Sequence, residues 1–188
     1  LWSDDSVPAY IGAAGQADPA EQFFDYHHDL YHDVLTNAYN RRFFEKQLRK
    51  LMEVDAVAML DLDQFKQIND VYGHQAGDMA LRTCVDVVRA SIRKSDVLIR
   101  YGGDEFLLVL PGIERAAFLA KLDRIREQLH TASVPGYSRL RLSASIGGVI
   151  TQPGETVEQA VSRADKLMYQ AKNRKNMVVT EDNARDGA

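Results

Sequence analysis

The sequence predicts an α/β (α+β sandwich) fold in which helices flank one mainly antiparallel sheet. An apolar run at residues 56–60 is typical of a short buried strand. Residues 97–101 and 107–110 are β-prone and enclose a glycine pair, which indicates a hairpin. Three stretches with apolar residues at helical spacing separate or follow these strands, at residues 81–92, 118–129 and 157–171.

Composition restricts the classes of protein that this chain can belong to. Its 188 residues and 45% hydrophobic content suit one packed domain with an appendage. A formal net charge of -4 provides no global basic field, so we expect no nucleic-acid polymer as partner. The sequence has neither a membrane-length apolar run nor a signal peptide, which predicts no membrane contact by this fragment. Cys84 is the only cysteine, which predicts a reducing, cytoplasmic location, either alone or within a larger membrane-anchored protein.

The pattern changes several times along the chain and predicts four regions. Residues 1–20 lack periodicity and suggest a flexible lead-in. Residues 21–35 have helical spacing and predict a linking helix, an explanation that we prefer to metal binding by His28 and His32. The main domain is expected at residues 33–180, followed by a tail at 181–188.

Local signals place the remaining elements. Asn40 can cap a helix from Arg41 to about Met52, and a long helix is expected to begin near Gly77 or Asp78. Partial alternation at residues 139–150 predicts a strand whose small residues permit close backbone contact. Val178 and Val179 fit a short edge strand.

Two acidic elements are the strongest functional signal. Gly102 and Gly103 are expected to adopt the positive φ of a tight hairpin and to let a ligand approach the main chain. They project Asp104 and Glu105 from the start of a strand. Asp61 ends an earlier strand, where ligands of open α/β sheets gather. These carboxylates are the hard oxygen ligands that a divalent cation prefers.

A polar stretch follows the first acidic element. Residues 65–78 supply a cation, amides, an imidazole and carboxylates, a set that can hold phosphates at one end and a base edge at the other. Asp63 has two open interpretations, which are a carboxylate that stabilises a helix start or loop and a direct metal ligand.

The ordered set of motifs resembles the GGDEF-domain diguanylate cyclases. The motif residues are Asp61-Leu62-Asp63 through Asp78, Gly102-Gly103-Asp104-Glu105-Phe106, Asp33-Val34-Leu35-Thr36, Asn40-Arg41-Arg42, Ala164-Asp165 and Tyr169-Gln170-Ala171-Lys172. Several spaced motifs over residues 33–180 are far more specific than one short match. The resemblance implies a central five-stranded sheet like that of nucleotide cyclases and polymerase palms. It also implies condensation of two GTP into cyclic di-GMP, with release of pyrophosphate, by a homodimer.

The resemblance also implies roles for particular residues. Asp61, the Leu62 carbonyl and Asp104 would bind Mg²⁺, with Mn²⁺ as a substitute. Asp104 would favour hydroxyl deprotonation, with Glu105 as the alternative base, and Lys66 would steady phosphate charge.

Further residues resemble those that bind GTP in the family. Asn69 and Asp78 resemble the pair that reads guanine. The other expected GTP contacts are Phe65, His74, Lys172 and Lys175.

An inhibitory product site is the last implied feature. Arg93 and Asp96 match the family's RxxD site, where cyclic di-GMP binds, and Arg124 is a candidate partner.

The chain departs from the family pattern in two places. Between Lys172 and Asn176 one glycine is apparently deleted, which leaves the phosphate role open between Arg174 and Lys175. Asn37-Ala38 replaces the usual glycine-leucine, and Asn tolerates the left-handed backbone that this turn requires. These departures sustain the alternative of a catalytically impaired module that binds GTP or cyclic di-GMP as a sensor. A dimerising signalling domain with a purely structural hairpin is a second alternative.

Overall fold

A six-stranded sheet organises the protein, as seen in a computed structural model that describes residues 28–52 and 54–184. The strands are β1 (Tyr39–Asn40), β2 (Ala56–Leu62), β3 (Val97–Arg100), β4 (Glu105–Leu110), β5 (Ala144–Ile150) and β6 (Val178–Thr180). The helices are α1 (Arg41–Phe43, continued by a π-helical turn at Phe44–Leu48), α2 (Phe65–Tyr72), α3 (His74–Ser91), α4 (Arg115–Thr131), α5 (Val157–Lys172) and α6 (Glu181–Ala184).

The strand order is β1-β3-β4-β2-β5-β6, which confirms the predicted fold class. β2 pairs antiparallel with β4 and β5, and β3 pairs antiparallel with β4. The two outer pairings, β1 with β3 and β5 with β6, are parallel. The sheet has one strand more than the five expected. The additional strand, β1, has only two residues, which is too short for an alternating side-chain pattern to predict it.

Alternation along β2 creates two cores, one on each face of the sheet. All seven residues of β2 are buried. Ala58 and Leu60 belong to a core with residues of α3 and α4, whereas Val57 and Met59 belong to a core with residues of α5. The result is three layers, with β2 covered on both faces.

Close backbone contact on β5, predicted from its small residues, is present at Gly147. A Cβ on Gly147 would lie 2.1 Å from the main-chain nitrogen of Met168 in α5. Only glycine permits this approach, which keeps the carboxyl end of α5 close to the sheet.

Three predicted boundaries are wrong. The helix expected to reach Met52 stops at Leu48. Its last turn is a wider π turn, in which the N–H of Arg49 donates to the carbonyl of Phe44. The long helix α3 begins at His74, because Gly73, with a φ of 87°, separates it from α2. The strand expected from residue 139 begins only at Ala144.

The N-terminal predictions fall largely outside the described residues. The lead-in at 1–20, most of the helix at 21–35 and residues 185–188 of the tail belong to this part of the chain. Within the described residues, helix is present at 28–31 and ends before the predicted residue 35. The left-handed turn predicted at Asn37 is confirmed, with a φ of 57°. His28 and His32 stack with ring centroids 4.0 Å apart.

Cys84 is fully buried in the core on α3, as a small apolar side chain would be. No helix within residues 28–52 and 54–184 combines the length and apolar character needed to cross a bilayer.

Candidate active site

The two acidic elements predicted from the sequence lie side by side on adjacent strands. Asp61 of β2 pairs with Glu105 of β4 in the antiparallel register. The N–H of Leu62 donates to the carbonyl of Asp104 at 3.1 Å, which extends the contact beyond the strands. The fold therefore brings Asp61, Asp104 and Glu105 to one end of the central sheet.

Asp61 is a buried acid with one direct cationic partner. It is only 4% exposed, and its Oδ2 lies 2.8 Å from Nζ of Lys172. Burial raises the pKa of Asp61 to about 6, and the fields of Asp104 and Glu105 add to this effect against the opposing ion pair with Lys172. Burial acts to lower the pKa of Lys172, but its ion pair with Asp61 and the two other carboxylates outweigh burial and raise it.

Both members of this pair therefore hold their protons more strongly than usual. For Asp61 the main reason is burial, and for Lys172 it is the ion pair with Asp61; for both, the charges of Asp104 and Glu105 act in the same direction. Among the described residues, three carboxylates thus act on a single ammonium group. When all are ionised, the group formed by Asp61, Asp104, Glu105 and Lys172 carries two excess negative charges. One divalent cation would neutralise that excess, which is the observation that fits this site to a metal ion.

Three or more His, Cys, Asp or Glu side chains do not converge in a metal-binding arrangement anywhere in the described part of the chain. The predicted ligand set does not require this, because it combines the carboxylates of Asp61 and Asp104 with the carbonyl of Leu62. Mg²⁺ is commonly bound by one or two carboxylates, with substrate phosphates completing its coordination.

The hairpin achieves its turn differently from the prediction. Gly102 and Gly103 are not among the glycines with positive φ, so that expectation is wrong. The N–H groups of Tyr101 and Gly102 both donate to the carbonyl of Glu105, which closes the turn without a left-handed residue. Gly102 instead makes room for the Glu105 side chain, since a Cβ there would lie 2.7 Å from Oε2 of Glu105 and would displace that carboxylate. Gly103 has open space around its Cα, which suits the expected approach of a ligand.

Arg100 and Asp33 brace this hairpin, and the sequence reasoning missed their pairing. The guanidinium of Arg100 donates to the carbonyl of Gly103 at 2.8 Å and to both oxygens of Asp33 at 3.0 and 3.1 Å. The N–H and hydroxyl of Thr36 also donate to Asp33. The ion pair therefore ties the acidic turn to the N-terminal segment of the domain.

The predicted guanine-reading residues lie together where α2 packs against α3. A Cβ on Gly77 would be 1.9 Å from Oδ1 of Asn69 and 3.2 Å from Cζ of Phe65. Gly77 thus allows Asn69 and Phe65 to lie beside the backbone that carries Asp78. Lys66, His74 and Asp78 are exposed, and none of their side chains makes a hydrogen bond or ion pair with another described residue.

The predicted phosphate cations occupy different surroundings. Lys172 belongs to the acidic cluster, whereas Lys175 is exposed on the loop after α5. The loop is anchored through Asp63, whose carboxylate accepts hydrogen bonds from Ser143, Ser145 and the N–H of Asn176. Ser143 and Ser145 were not predicted from the sequence.

In the predicted product site, Asp96 makes contacts that the sequence did not predict. Asp96 accepts from the main-chain N–H of Arg93 at 2.8 Å and from Nζ of Lys121 at 2.9 Å, and Lys121 was not predicted. Arg124 lies three residues beyond Lys121 on α4 and is exposed. A surface cavity of about 330 Å³ adjoins this site. Its cationic lining residues are Arg89, Arg93 and Lys94.

Comparisons with known proteins identify the family of the chain. The family model described as "Diguanylate cyclase, GGDEF domain" matches residues 30–177. The probable diguanylate cyclase DgcT of Escherichia coli (strain K12) is 36% identical over 163 residues, which cover 81% of this chain and 36% of DgcT. The chain therefore spans little more than a third of that relative.

Two crystal structures share the fold. The coiled coil and GGDEF domain of DgcB from Caulobacter crescentus, in complex with c-di-GMP, has a TM-score of 0.78 at 27% identity, covering 86% of this chain and 91% of that one. Diguanylate cyclase SiaD from Pseudomonas aeruginosa, in complex with its activator SiaC, has a TM-score of 0.75 at 32% identity, covering 86% and 65%. By architecture, this protein is an α/β domain of the class that these structures share. The chain belongs to the GGDEF-domain diguanylate cyclase family.

The raised pKa of Asp61 predicts a pH-dependent stability in the absence of metal and nucleotide. Asp61 ionises near pH 3.8 in an unfolded chain but holds its proton to about pH 6 when folded. Ionisation therefore favours the unfolded state as the pH rises between these values. Relative to Asp61→Asn, the wild type should lose up to about 3 kcal/mol of unfolding free energy across that window and little more above it.

Urea unfolding in EDTA at several pH values, from about 4.5 to about 7.5, measures this difference. Asp123→Asn is the matched control: Asp123 is half-exposed on α4, where it pairs with Arg126, so this variant should show the same pH dependence as the wild type even if its overall stability is slightly lower. A difference between wild type and Asp61→Asn that does not change over the pH range would contradict the raised pKa.

Proposed function

We propose that this domain condenses two GTP molecules into cyclic di-GMP. The 3′-hydroxyl of each GTP attacks the α-phosphate of the other, so that two phosphodiester bonds form and two pyrophosphates leave. The observation that carries the proposal is the doubly negative cluster of Asp61, Asp104, Glu105 and Lys172 at the end of β2 and β4, in a chain of this family.

The metal would be held by the carboxylates of Asp61 and Asp104 and by the carbonyl of Leu62. Bound Mg²⁺, or Mn²⁺ in its place, supplies charge neutralisation for the triphosphate and lowers the pKa of a nearby hydroxyl. Asp104 is our choice for the group that favours deprotonation of the 3′-hydroxyl, with Glu105 as the alternative. Glu105 folds back over Gly102, which keeps its carboxylate beside the same turn.

GTP would extend from this cluster towards the contact between α2 and α3. The carboxylate of Asp78 can accept from the N1 and N2 donors of guanine, while the amide of Asn69 bonds its acceptors. Adenine does not present that arrangement, so GTP is favoured over ATP. Phe65 and His74 would flank this end, and Lys66, Lys172 and Lys175 would contact the phosphates.

Catalysis by this chain requires two copies. Each domain offers one acidic cluster and one guanine-reading pair, so two GTP molecules face each other only when two domains do. We therefore propose a homodimer as the active form. A cytoplasmic location is part of the proposal, because GTP is a cytoplasmic substrate and the buried Cys84 is unpaired.

The direct test is product analysis. Incubation of the protein with Mg²⁺ and GTP should give cyclic di-GMP and two pyrophosphates per product by mass spectrometry, with ATP giving no corresponding dinucleotide. Asp61→Asn and Asp104→Asn should each lower turnover by about a hundredfold or more, because each removes a charge that neutralises the metal.

Asp123→Asn serves as the control and should retain the wild-type rate. Mg²⁺-dependent GTP binding without product would instead identify a binding module. Full turnover by the Asp61→Asn and Asp104→Asn variants would exclude the proposed cluster.

Product inhibition is the second proposed property. The cationic surface at Arg93, together with the adjoining cavity lined by Arg89 and Lys94, suits a ligand with two phosphodiester charges. We expect added cyclic di-GMP to reduce the wild-type initial rate, and Arg93→Ala to require about tenfold more for the same fractional inhibition.

Initial rates with and without added product measure this effect, so each variant is compared with itself. Arg139→Ala, exposed elsewhere on the surface, should behave as the wild type does. Equal inhibition of the wild type and Arg93→Ala by cyclic di-GMP would contradict an inhibitory site at Arg93.

A further inference from the structure

Asp63 is a buried acid whose carboxylate is occupied by the chain itself. It is 7% exposed and follows the last residue of β2. Its Oδ1 accepts from the hydroxyl of Ser145 at 2.6 Å. Its Oδ2 accepts from the hydroxyl of Ser143 and from the N–H of Asn176, each at 2.8 Å. Both oxygens are thus directed to β5 and to the loop after α5.

Asp61 and Asp63 are two residues apart but have different surroundings. Asp61 lies among other carboxylates and has one cationic partner. Asp63 has three donors, which take most of the lone pairs that a metal ion would need. The two interpretations of Asp63 left open by the sequence are therefore separated by this geometry in favour of a loop-holding role.

The loop that Asp63 holds has an unusual backbone. Lys175 and Asn176 are consecutive non-glycine residues with φ values of 57° and 45°. This is where the sequence lacks the glycine of the family pattern, so the reversal from α5 to β6 is made by Lys175, which disfavours a left-handed backbone, and by Asn176, which tolerates it. The side-chain Oδ1 of Asn176 is buried without a hydrogen-bond partner among the described residues, so that oxygen does not hold the turn.

The same short segment carries the proposed phosphate cations. Lys172 is fixed at its beginning by Asp61, and Asn176 is fixed at its end by Asp63. Lys175 lies immediately before Asn176, so the bond from Asp63 to the Asn176 N–H sets the position from which the Lys175 ammonium extends.

We propose that Asp63 is a positioning residue that holds Lys175 for binding the triphosphate of GTP, and that it is not a metal ligand. This inference rests on the proposed function. It assigns the two neighbouring acids separate tasks, with Asp61 at the metal and Asp63 at the phosphate loop.

Asp63→Asn tests the proposal with little change of shape. The amide has one acceptor oxygen and no charge, so the charge-assisted bond to the Asn176 N–H becomes a weaker neutral bond or is lost, and one of the two serine hydroxyls must accept instead of donate. We expect the KM for GTP to rise about tenfold while the Mg²⁺ concentration for half-maximal rate at saturating GTP stays within about twofold of wild type.

Lys175→Ala provides a double-mutant cycle. Because Asp63 acts through Lys175, the double variant should raise KM little beyond the larger single effect. Asp123→Asn is the control and should leave KM unchanged. A raised Mg²⁺ requirement in Asp63→Asn, or KM effects of Asp63→Asn and Lys175→Ala that multiply, would overturn the proposal.

A second variant and a second measurement apply if Asp63→Asn does not fold or if the wild type makes no product. If Asp63→Asn does not fold, Ser143→Ala combined with Ser145→Ala leaves the carboxylate but removes the two hydroxyls that orient it towards the Asn176 N–H. A raised KM at an unchanged Mg²⁺ midpoint then supports the proposal, and any other result contradicts it. If the wild type makes no product, the same variants are compared by GTP affinity and by its Mg²⁺ dependence, so that failure of this inference is distinguished from failure of the proposed function.

Discussion

The ion pair between Asp61 and Lys172 is the interaction on which the site depends. Its 2.8 Å contact joins the end of the central strand β2 to Lys172, the last residue of α5. Helix α5 can lie this close to the sheet because Gly147 has no side chain. Asp61 is buried and Lys172 is partly exposed, with the carboxylates of Asp104 and Glu105 acting on both, so one ammonium leaves negative charge uncompensated. We propose that this imbalance makes the strand end a place for a divalent cation and a triphosphate, not merely a structural ion pair.

The fold places three supports around this pair. The antiparallel register of β2 and β4 brings the acidic hairpin beside Asp61. Arg100 ties that hairpin to Asp33, in the segment that enters the domain from the N-terminal side. Asp63, which follows β2, binds Ser145 of β5 and the N–H of Asn176 in the loop after α5. A displacement of the N-terminal segment would therefore be transmitted to the acidic turn through the ion pair between Asp33 and Arg100.

Local chemistry made much of this predictable. Asp61 ends an apolar run, and Asp104 and Glu105 follow two glycines, so residue type and spacing identify them without a structure. The helical periodicity that defines α4 and α5 also depends only on near neighbours in sequence. The predicted left-handed Asn37 was correct for the same reason, because side-chain tolerance of that backbone is a local property.

Features that depend on distant residues were not predictable. Strand β1 is two residues long and exists because β3 lies beside it. The pairs Arg100 with Asp33 and Lys121 with Asp96 join opposite charges on separate elements, and nothing in their spacing selects those partners. The turn at Gly102 and Gly103 was predicted with the wrong φ, because it is closed by two N–H groups that share the carbonyl of Glu105.

Mn²⁺ binding in the presence of a non-hydrolysable GTP analogue tests the central claim most directly. Electron paramagnetic resonance counts free and bound Mn²⁺ without requiring turnover. The charge imbalance predicts stoichiometric binding to the wild type and to Asp123→Asn, and at least about tenfold weaker binding to Asp61→Asn. Undiminished Mn²⁺ affinity in Asp61→Asn would contradict a metal site built on this buried carboxylate.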